Sequence, residues 1–266
     1  MREAITLIFD LHCHTKEGSL DSKVPISEYI RKYRILGYDG FLIADHNSYR
    51  GCRKWQTMKD DPEYAGLTVL CGIEYDTKDA GHALVILPDG VFPKLLRIRG
   101  MRCKKLIRVV HSLGGVIGLA HPFGVASSSA FGFKLMKVEL VEDMDFIEVF
   151  NTCESKDSNY LASELAAKFH LPGTAGTDAH SARYIGMACT EIDADIRCNN
   201  DFIAAIKNGA AIHTSGTERK DTRKSRAKDH WTGVIGYKIY NRGLAKVKMP
   251  RRKIMHRRQF GKYRPL

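Results

Sequence analysis

The residues most able to do chemistry in this chain come in repeated small groups. The first is a histidine pair one residue apart, His12 and His14, ending an apolar run in Phe9-Asp10-Leu11-His12-Cys13-His14-Thr15. On a strand, residues i and i+2 share a face, so the two imidazoles project together and Cys13 points elsewhere. Such a pair can be half of a metal site, although a pair alone is more often a hydrogen-bonded core couple. The device then recurs. Asp45 and His46, Glu74, His121, and Asp178 and His180 each stand at or just after the end of an apolar, strand-like run. Five of the eleven histidines occupy such strand ends beside other ligand types. Imidazole mixed with carboxylate favours zinc, manganese or iron over magnesium. The set exceeds what one tetrahedral ion needs, which implies two or three divalent ions with a carboxylate such as Glu74 bridging. Clustered ions about 3.5–4 Å apart clamp the attacking and leaving oxygens of a phosphoryl ester. A bridging hydroxide would be the nucleophile, because metal binding can bring the pKa of water to near 7.

Elements that could position these groups are legible along the chain. Pro25 opens a helix through about residue 36 with Ile26, Tyr29, Ile30, Tyr33 and Leu36 on one face, and Gly37 follows as a cap. Residues 40–44 read as a buried strand, 50–58 as a short helix, 67–71 as a strand running into Gly72-Ile73-Glu74, and 82–87 as a further apolar run. A helix over 101–113 is stopped by Gly114-Gly115, and a strand over 116–120 ends in His121-Pro122. Residues 123–136 form a long Ser/Gly/Phe-rich loop, of the kind that often carries function. Strands at 145–151 and 186–193 and helices at 158–170 and 200–208 complete the pattern, with 173–177 leading into Asp178-Ala179-His180. Strands alternating with helices predict a parallel sheet with crossover helices, and about seven strands suit a barrel better than an open sheet. In such barrels the catalytic groups gather where strands end.

Composition sets the frame. With 266 residues, 44% of them hydrophobic, the chain suits one large domain, or one domain and an appendage. No run of about 18 apolar residues is present, so no membrane span is expected, and the start lacks a signal-peptide pattern. Seven scattered cysteines argue against a disulfide framework and for a reducing, cytoplasmic setting. Charge divides the chain in two. Residues 217–266 hold 17 Lys/Arg and 3 Asp/Glu, whereas the first 216 residues are near neutral. A domain over 1–216 and a basic extension over 217–266 are therefore expected. Alternating apolar residues at Val234, Tyr237, Ile239 and Tyr240 suggest a short strand or hairpin within the extension. Its chemistry leaves three readings open: nucleic-acid binding, with Trp231, Tyr237 and Tyr240 available to stack on bases; binding to acidic lipid or an acidic partner; or a solvated end.

The motif set resembles the PHP family, the polymerase and histidinol phosphatase superfamily of metal-dependent phosphoesterases. The matching segments are Asp10-Leu11-His12-Cys13-His14-Thr15, Ala44-Asp45-His46-Asn47, Gly72-Ile73-Glu74, Ala120-His121-Pro122, Ile147-Glu148-Val149-Phe150-Asn151 and Gly176-Thr177-Asp178-Ala179-His180, in family order. The resemblance implies a distorted (β/α)7 TIM-like barrel with a trinuclear centre. His12, His14, Glu74 and Asp178 would hold the first ion; Glu74 and His121, with His82 as the further histidine, the second; His46 and His180, with Asp45, the third. Glu74, Asp178 and His180 would stand nearest the chemistry. One departure is visible: where many relatives carry a third-ion Asp or His, this chain has Ser19 and Leu20, with Glu17 and Asp21 nearby. Asp21 could substitute. Arg183 and Lys134 are the candidate phosphate cations, and Glu148 and Asn151 would orient substrate or support the metal histidines. The expected function is hydrolysis of a phosphate ester, favouring nucleotides or oligonucleotide ends. Histidinol phosphate is the alternative substrate, and a non-catalytic nucleic-acid- or partner-binding module acting through the basic tail is the alternative class.

Overall fold

The structure, a computed structural model, describes residues 5–124, 128–131 and 134–220. In chain order these form β1 (Leu7–Cys13), α1 (Ile26–Leu36), β2 (Gly40–Ile43), α2 (Arg50–Gln56), β3 (Thr68–Asp76), β4 (His82–Ile86), α3 (Cys103–Ser112), β5 (Val116–Leu119), β6 (Phe146–Asn151), α4 (Lys156–Phe169), β7 (Gly173–Gly176), β8 (Ala188–Ile192), α5 (Asn199–Lys207) and β9 (Ile212–Gly216). The nine strands make one sheet in the order β7-β6-β5-β4-β3-β2-β1-β8-β9. The sheet curls into a nearly closed barrel, the expected α/β architecture. The expected hairpin near residues 234–240, and the rest of the chain after 220, lie outside the described residues. Among the described residues, no helix is long and apolar enough to cross a membrane.

The all-parallel sheet expected from strand–helix alternation is corrected at two strands, β4 and β8, which run against the rest. β4 runs antiparallel to both β3 and β5, β8 antiparallel to β1, and β9 antiparallel to β8. Only residues 77–81 join β3 to β4, too few for a crossover helix, so the chain must turn back as a hairpin. The reversal has a functional consequence. His82 opens β4 and pairs in register with Asp76 at the end of β3, so a strand start reaches the same barrel end as the other strand ends.

Two apolar layers hold the barrel. One lies between sheet and helices, where Ile26, Tyr29, Ile30 and Tyr33 of α1 meet Phe41 and Ile43. The other fills the barrel with Phe9, Leu11, Leu42, Leu70, Leu84, Ile86 and Phe146, and Phe202, Ile203 and Ile206 of α5 pack against it. The side chain of Asn199, at the start of α5, donates to the carbonyl of Leu87 just past β4, so α5 closes the end away from His82. α1 ends at Gly37, whose φ of 73° supplies the left-handed cap that a side chain would resist.

Closure between β1 and β7 relies on side chains and on the segments beyond the strands. Thr190 Oγ1 accepts from the Ala175 N–H at 2.8 Å and donates to the Ala175 carbonyl at 2.9 Å. Asp10, fully buried, accepts from Thr177 N at 3.0 Å, from Thr177 Oγ1 at 2.5 Å and from the Tyr33 hydroxyl. Asp178 N donates to the His12 carbonyl at 2.8 Å, and His14 N to that of Ala179 at 3.2 Å. Gly176 permits this approach: a Cβ there would stand 2.3 Å from the His12 Cβ. Replacing Thr190 with valine keeps the shape and removes both hydrogen bonds, leaving buried backbone groups unpaired. The expected result is a loss of about 1–3 kcal/mol in urea unfolding, and an unchanged midpoint would contradict this account of closure.

Candidate metal centre

A bulge in β1 aims the first histidine pair. Asp10 pairs with Phe41 and Cys13 with Ile43, so three steps on β1 match two on β2. Phe9 and Leu11 thus fill the barrel, Cys13 turns out to the Tyr33 hydroxyl at 3.4 Å, and His12 and His14 enter the barrel mouth together. Their Nε2 atoms face each other at 3.1 Å.

Glu74 lies at the centre, with no exposed surface. Its Oε1 is 2.5 Å from His82 Nδ1, 2.8 Å from His121 Nε2 and 3.6 Å from His12 Nε2. Its Oε2 is 2.7 Å from His46 Nδ1 and 3.4 Å from His14 Nε2. Asp178 Oδ1 joins from the far side, 3.2 Å from His14 Nε2 and 3.4 Å from His180 Nδ1. Three groups have ligand atoms within 4.8 Å of one another: His12, His14 and Glu74; His46, Glu74 and His82; and His14, His46 and His180. Asp21 Oδ2 lies 3.4 Å from His46 Nε2 and 3.5 Å from His180 Nε2, standing where Ser19 and Leu20 left the family pattern open.

The electrostatics are those of a site built for cations. Burial works against the charge on Glu74, yet His82, His46 and His12 outweigh it and hold the carboxyl well below its ordinary range. Burial likewise opposes charge on His12 and His46, but the carboxylates around each raise them well above an ordinary histidine. His14, buried and flanked by His180 and His46, is held well below the ordinary value, and burial brings His82 to about 4. Burial also opposes charge on Asp21, but His46 and His180 more than reverse this and hold its carboxyl far below the usual carboxylate range. The donor set fits divalent metal. Nitrogen lone pairs and carboxylate oxygens converge in one buried space, two imidazole Nε2 atoms meet with no oxygen between them, and His121 Nδ1 is buried with no hydrogen-bond partner among the described residues.

The remaining candidates fall around this cluster. Glu148 is buried, with Oε1 2.8 Å from His12 Nδ1 and Oε2 accepting from His121 N at 2.7 Å and Asn151 Nδ2 at 3.0 Å. Glu148 thus braces His12 and His121, and Asn151 reaches them through Glu148. Asp45, expected among the ligands, is instead turned to the loop behind His14. Its Oδ1 accepts from Thr15 N at 2.6 Å and Ser19 Oγ at 3.1 Å, and its Oδ2 from Thr15 Oγ1 at 2.8 Å. Gly18 and Gly51 make room for it, since a Cβ at either would meet Asp45 Oδ2 within 2.2 Å. Burial raises the Asp45 carboxyl to about 6, and Ser19 Oγ relays its contact to His14 Nδ1 at 3.2 Å. Arg183 is exposed, its guanidinium 4.5 Å from the Tyr184 ring centre. Lys134 is fixed through its backbone, with N donating to the Ser129 carbonyl at 3.2 Å. Sequence reasoning missed two buried residues. Asp10 is the closure anchor already described. Arg219, lost within a charged run, folds back against Thr152, Thr177 and Asp178.

Comparison with known proteins agrees with this geometry. The family model of the PHP domain matches residues 10–134, and a PHP-associated model matches residues 156–211. Over 80 residues the chain is 28% identical to the PolC-type DNA polymerase III of Lacticaseibacillus paracasei, a stretch covering 30% of this chain and only 5% of the polymerase. Among solved structures, the lesion-specific endonuclease PfuEndoQ from Pyrococcus furiosus is similar with a TM-score of 0.63 at 19% identity, over 80% of this chain and 59% of that one. A two-domain protein from Bacteroides vulgatus containing a predicted PHP-like metal-dependent phosphoesterase gives 0.60 at 18% identity, over 79% of this chain and 65% of that one. At such identities the two structures speak for the fold; the two matched family models place the chain, which belongs to the PHP superfamily.

Proposed function

We propose that this chain is a metal-dependent phosphoesterase that hydrolyses a phosphate ester of a nucleotide or of an oligonucleotide end, at a centre of two or three divalent ions. The observation that carries the proposal is the buried Glu74 carboxylate with five histidines around it and Asp178, His180 and Asp21 beside them. His12, His14, Glu74 and Asp178 would hold one ion, Glu74, His82 and His121 a second, and His46, His180 and Asp21 a third. Zinc, manganese or iron suits this donor set, and when bound the ions supply Lewis acidity toward the phosphoryl oxygens and a lowered pKa for water. Glu148 holds His12 by its Nδ1, leaving Nε2 for the centre. Ser19, backed by Asp45, steadies His14 in the same way. Arg183 is the side chain we assign to the phosphate, since a guanidinium on a firm aromatic support can meet two phosphoryl oxygens at once. A nucleotide or nucleic-acid substrate is favoured by the polymerase and endonuclease names of similar proteins and by the 15 Lys/Arg against 2 Asp/Glu after residue 220. Seven free thiols suit a reducing, cytoplasmic setting.

The test pairs metal analysis with a substrate panel of nucleoside mono- and bisphosphates, 5′-phosphorylated oligonucleotides and histidinol phosphate. Wild-type chain should carry two or three ions, and Glu74→Ala and His180→Ala should each lower turnover by about a hundredfold or more. A chain without metal, or variants as active as wild type, would overturn the proposal, and a preference for histidinol phosphate would replace the substrate. Loading metal into stripped protein should also release protons. The surrounding carboxylates raise His12 and His46 well above an ordinary histidine in the metal-free cluster, and ligation needs both rings neutral, so a net release of protons should appear in weakly buffered solution at pH 7. Metal uptake without acidification would contradict those raised values. Ending the chain after Lys220 should leave mononucleotide hydrolysis within about twofold and remove most of the salt-dependent affinity for oligonucleotides. Unchanged oligonucleotide binding would refute nucleic-acid contact through the basic segment.

A further inference from the structure

The first cation of the basic segment does not behave as part of a solvated tail. Arg219 is 3% exposed, although it lies three residues beyond β9. Its backbone N–H donates to the Thr152 carbonyl at 2.9 Å, and its guanidinium carbon sits 3.6 Å from the centre of the Tyr184 ring. Nε donates to Thr152 Oγ1 at 2.9 Å. Nη2 donates to two consecutive carbonyls, those of Thr177 and Asp178, the latter at 3.0 Å. Thr152 Oγ1 donates to the same Thr177 carbonyl at 2.7 Å, so one planar cation gathers the ends of β6 and β7.

The peptide it grips is the one that shapes the cluster. Asp178 has a φ of 50°, a left-handed conformation that an aspartate adopts at a cost. That twist sends its Oδ1 toward His14 Nε2 and His180 Nδ1. His180 Nδ1 lies 2.9 Å from the Asp178 carbonyl, the same oxygen that receives Arg219 Nη2. A proton on Nδ1, donated to that carbonyl, leaves Nε2 as the lone pair facing Asp21 and His46. Arg219 and His180 thus share one acceptor, and its orientation sets both the Asp178 carboxylate and the His180 ring.

We propose that Arg219 is a positioning residue for the metal centre: its fork fixes the Thr177 and Asp178 carbonyls, and through them Asp178 and His180, so that Arg219 belongs to the active centre. The inference rests on the metal-centre proposal above. Lysine cannot reproduce it, because a single ammonium cannot lie flat on Tyr184 while reaching Thr152 Oγ1 and two carbonyls.

The test compares full-length wild type, Arg219→Ala and Arg219→Lys, stripped of metal and titrated with Mn2+ and Co2+. Affinity is followed by calorimetry, Co2+ ligand-field bands by absorption, and folding by thermal melting. Loss of a supporting contact of this kind typically weakens metal affinity about 10–100-fold, and Arg219→Ala should lose that much at one class of site, with altered Co2+ bands. Methylguanidinium added to Arg219→Ala should restore part of the lost affinity and return the Co2+ bands toward wild type. Wild-type affinity and bands in a folded Arg219→Ala chain would overturn the inference. If Arg219→Ala fails to fold, Arg219→Lys decides by the same readout: weaker binding with changed bands supports the role, and wild-type behaviour overturns it. A wild-type chain that takes up neither ion would instead sink the metal centre itself, and the positioning role with it.

Discussion

A carboxylate buried without solvent and approached by five imidazoles is the constraint on which the rest of this structure turns. Glu74 has no exposed surface, and five nitrogens stand between 2.5 and 3.6 Å from its two oxygens. An ionised carboxyl in such a place needs compensating positive charge, since an isolated buried charge costs several kcal/mol even after relaxation. The carboxylates around His12 and His46 raise those two, while burial lowers His14 and His82. Divalent ions would provide the compensating charge and would also use the nitrogen lone pairs that face one another. The strong electrostatic conflict and the proposed chemistry therefore have one source.

The fold is arranged to hold that conflict in place. β1 must come close to β7 for His12 and Asp178 to share a site, and this is achieved by Gly176, by Asp10 reaching across to Thr177, and by Thr190 bridging from β8. Two site residues, His121 and Asp178, take left-handed backbone conformations, with φ of 30° and 50°. Each costs about 1–3 kcal/mol and persists only where the surroundings over-determine it. At His121 the backbone N–H is caught by Glu148; at Asp178 the backbone N–H is caught by the His12 carbonyl and its own carbonyl by Arg219. The backbone strain and the ligand geometry are thus maintained by the same contacts.

Much of this was legible in the sequence because both the fold and the site obey simple periodicities. Apolar runs ending in His, Asp or Glu gave the strands and the barrel mouth, and capping residues such as Gly37 gave the helix ends. What remained hidden depended on contacts between distant segments. Alternation of strands and helices could not show that β4 reverses, because direction depends on the short connection at residues 77–81 rather than on apolarity. β9 was not anticipated, since Ile212-His213-Thr214-Ser215-Gly216 is a largely polar edge strand with weak apolar signal. Asp45 reads as a ligand from its place beside His46, yet the lack of side chains at Gly18 and Gly51 gives it a pocket in the opposite direction. Arg219 looks like one more solvated charge in Glu218-Arg219-Lys220-Asp221, and only the folded chain shows the carbonyls it meets. A basic residue within a run of mixed charge carries no local mark of burial.

The most direct measurement is an anomalous-difference map from crystals of the full chain grown with manganese or zinc, collected across the metal edge. The account predicts two or three peaks in the barrel mouth, about 3.5–4 Å apart, with Glu74 touching at least two of them and His12, His14, His46, His82, His121, Asp178 and His180 distributed among them. A map empty at the mouth, or a single ion bound away from Glu74, would contradict it, and the cluster would then be a hydrogen-bonded histidine core rather than a metal centre.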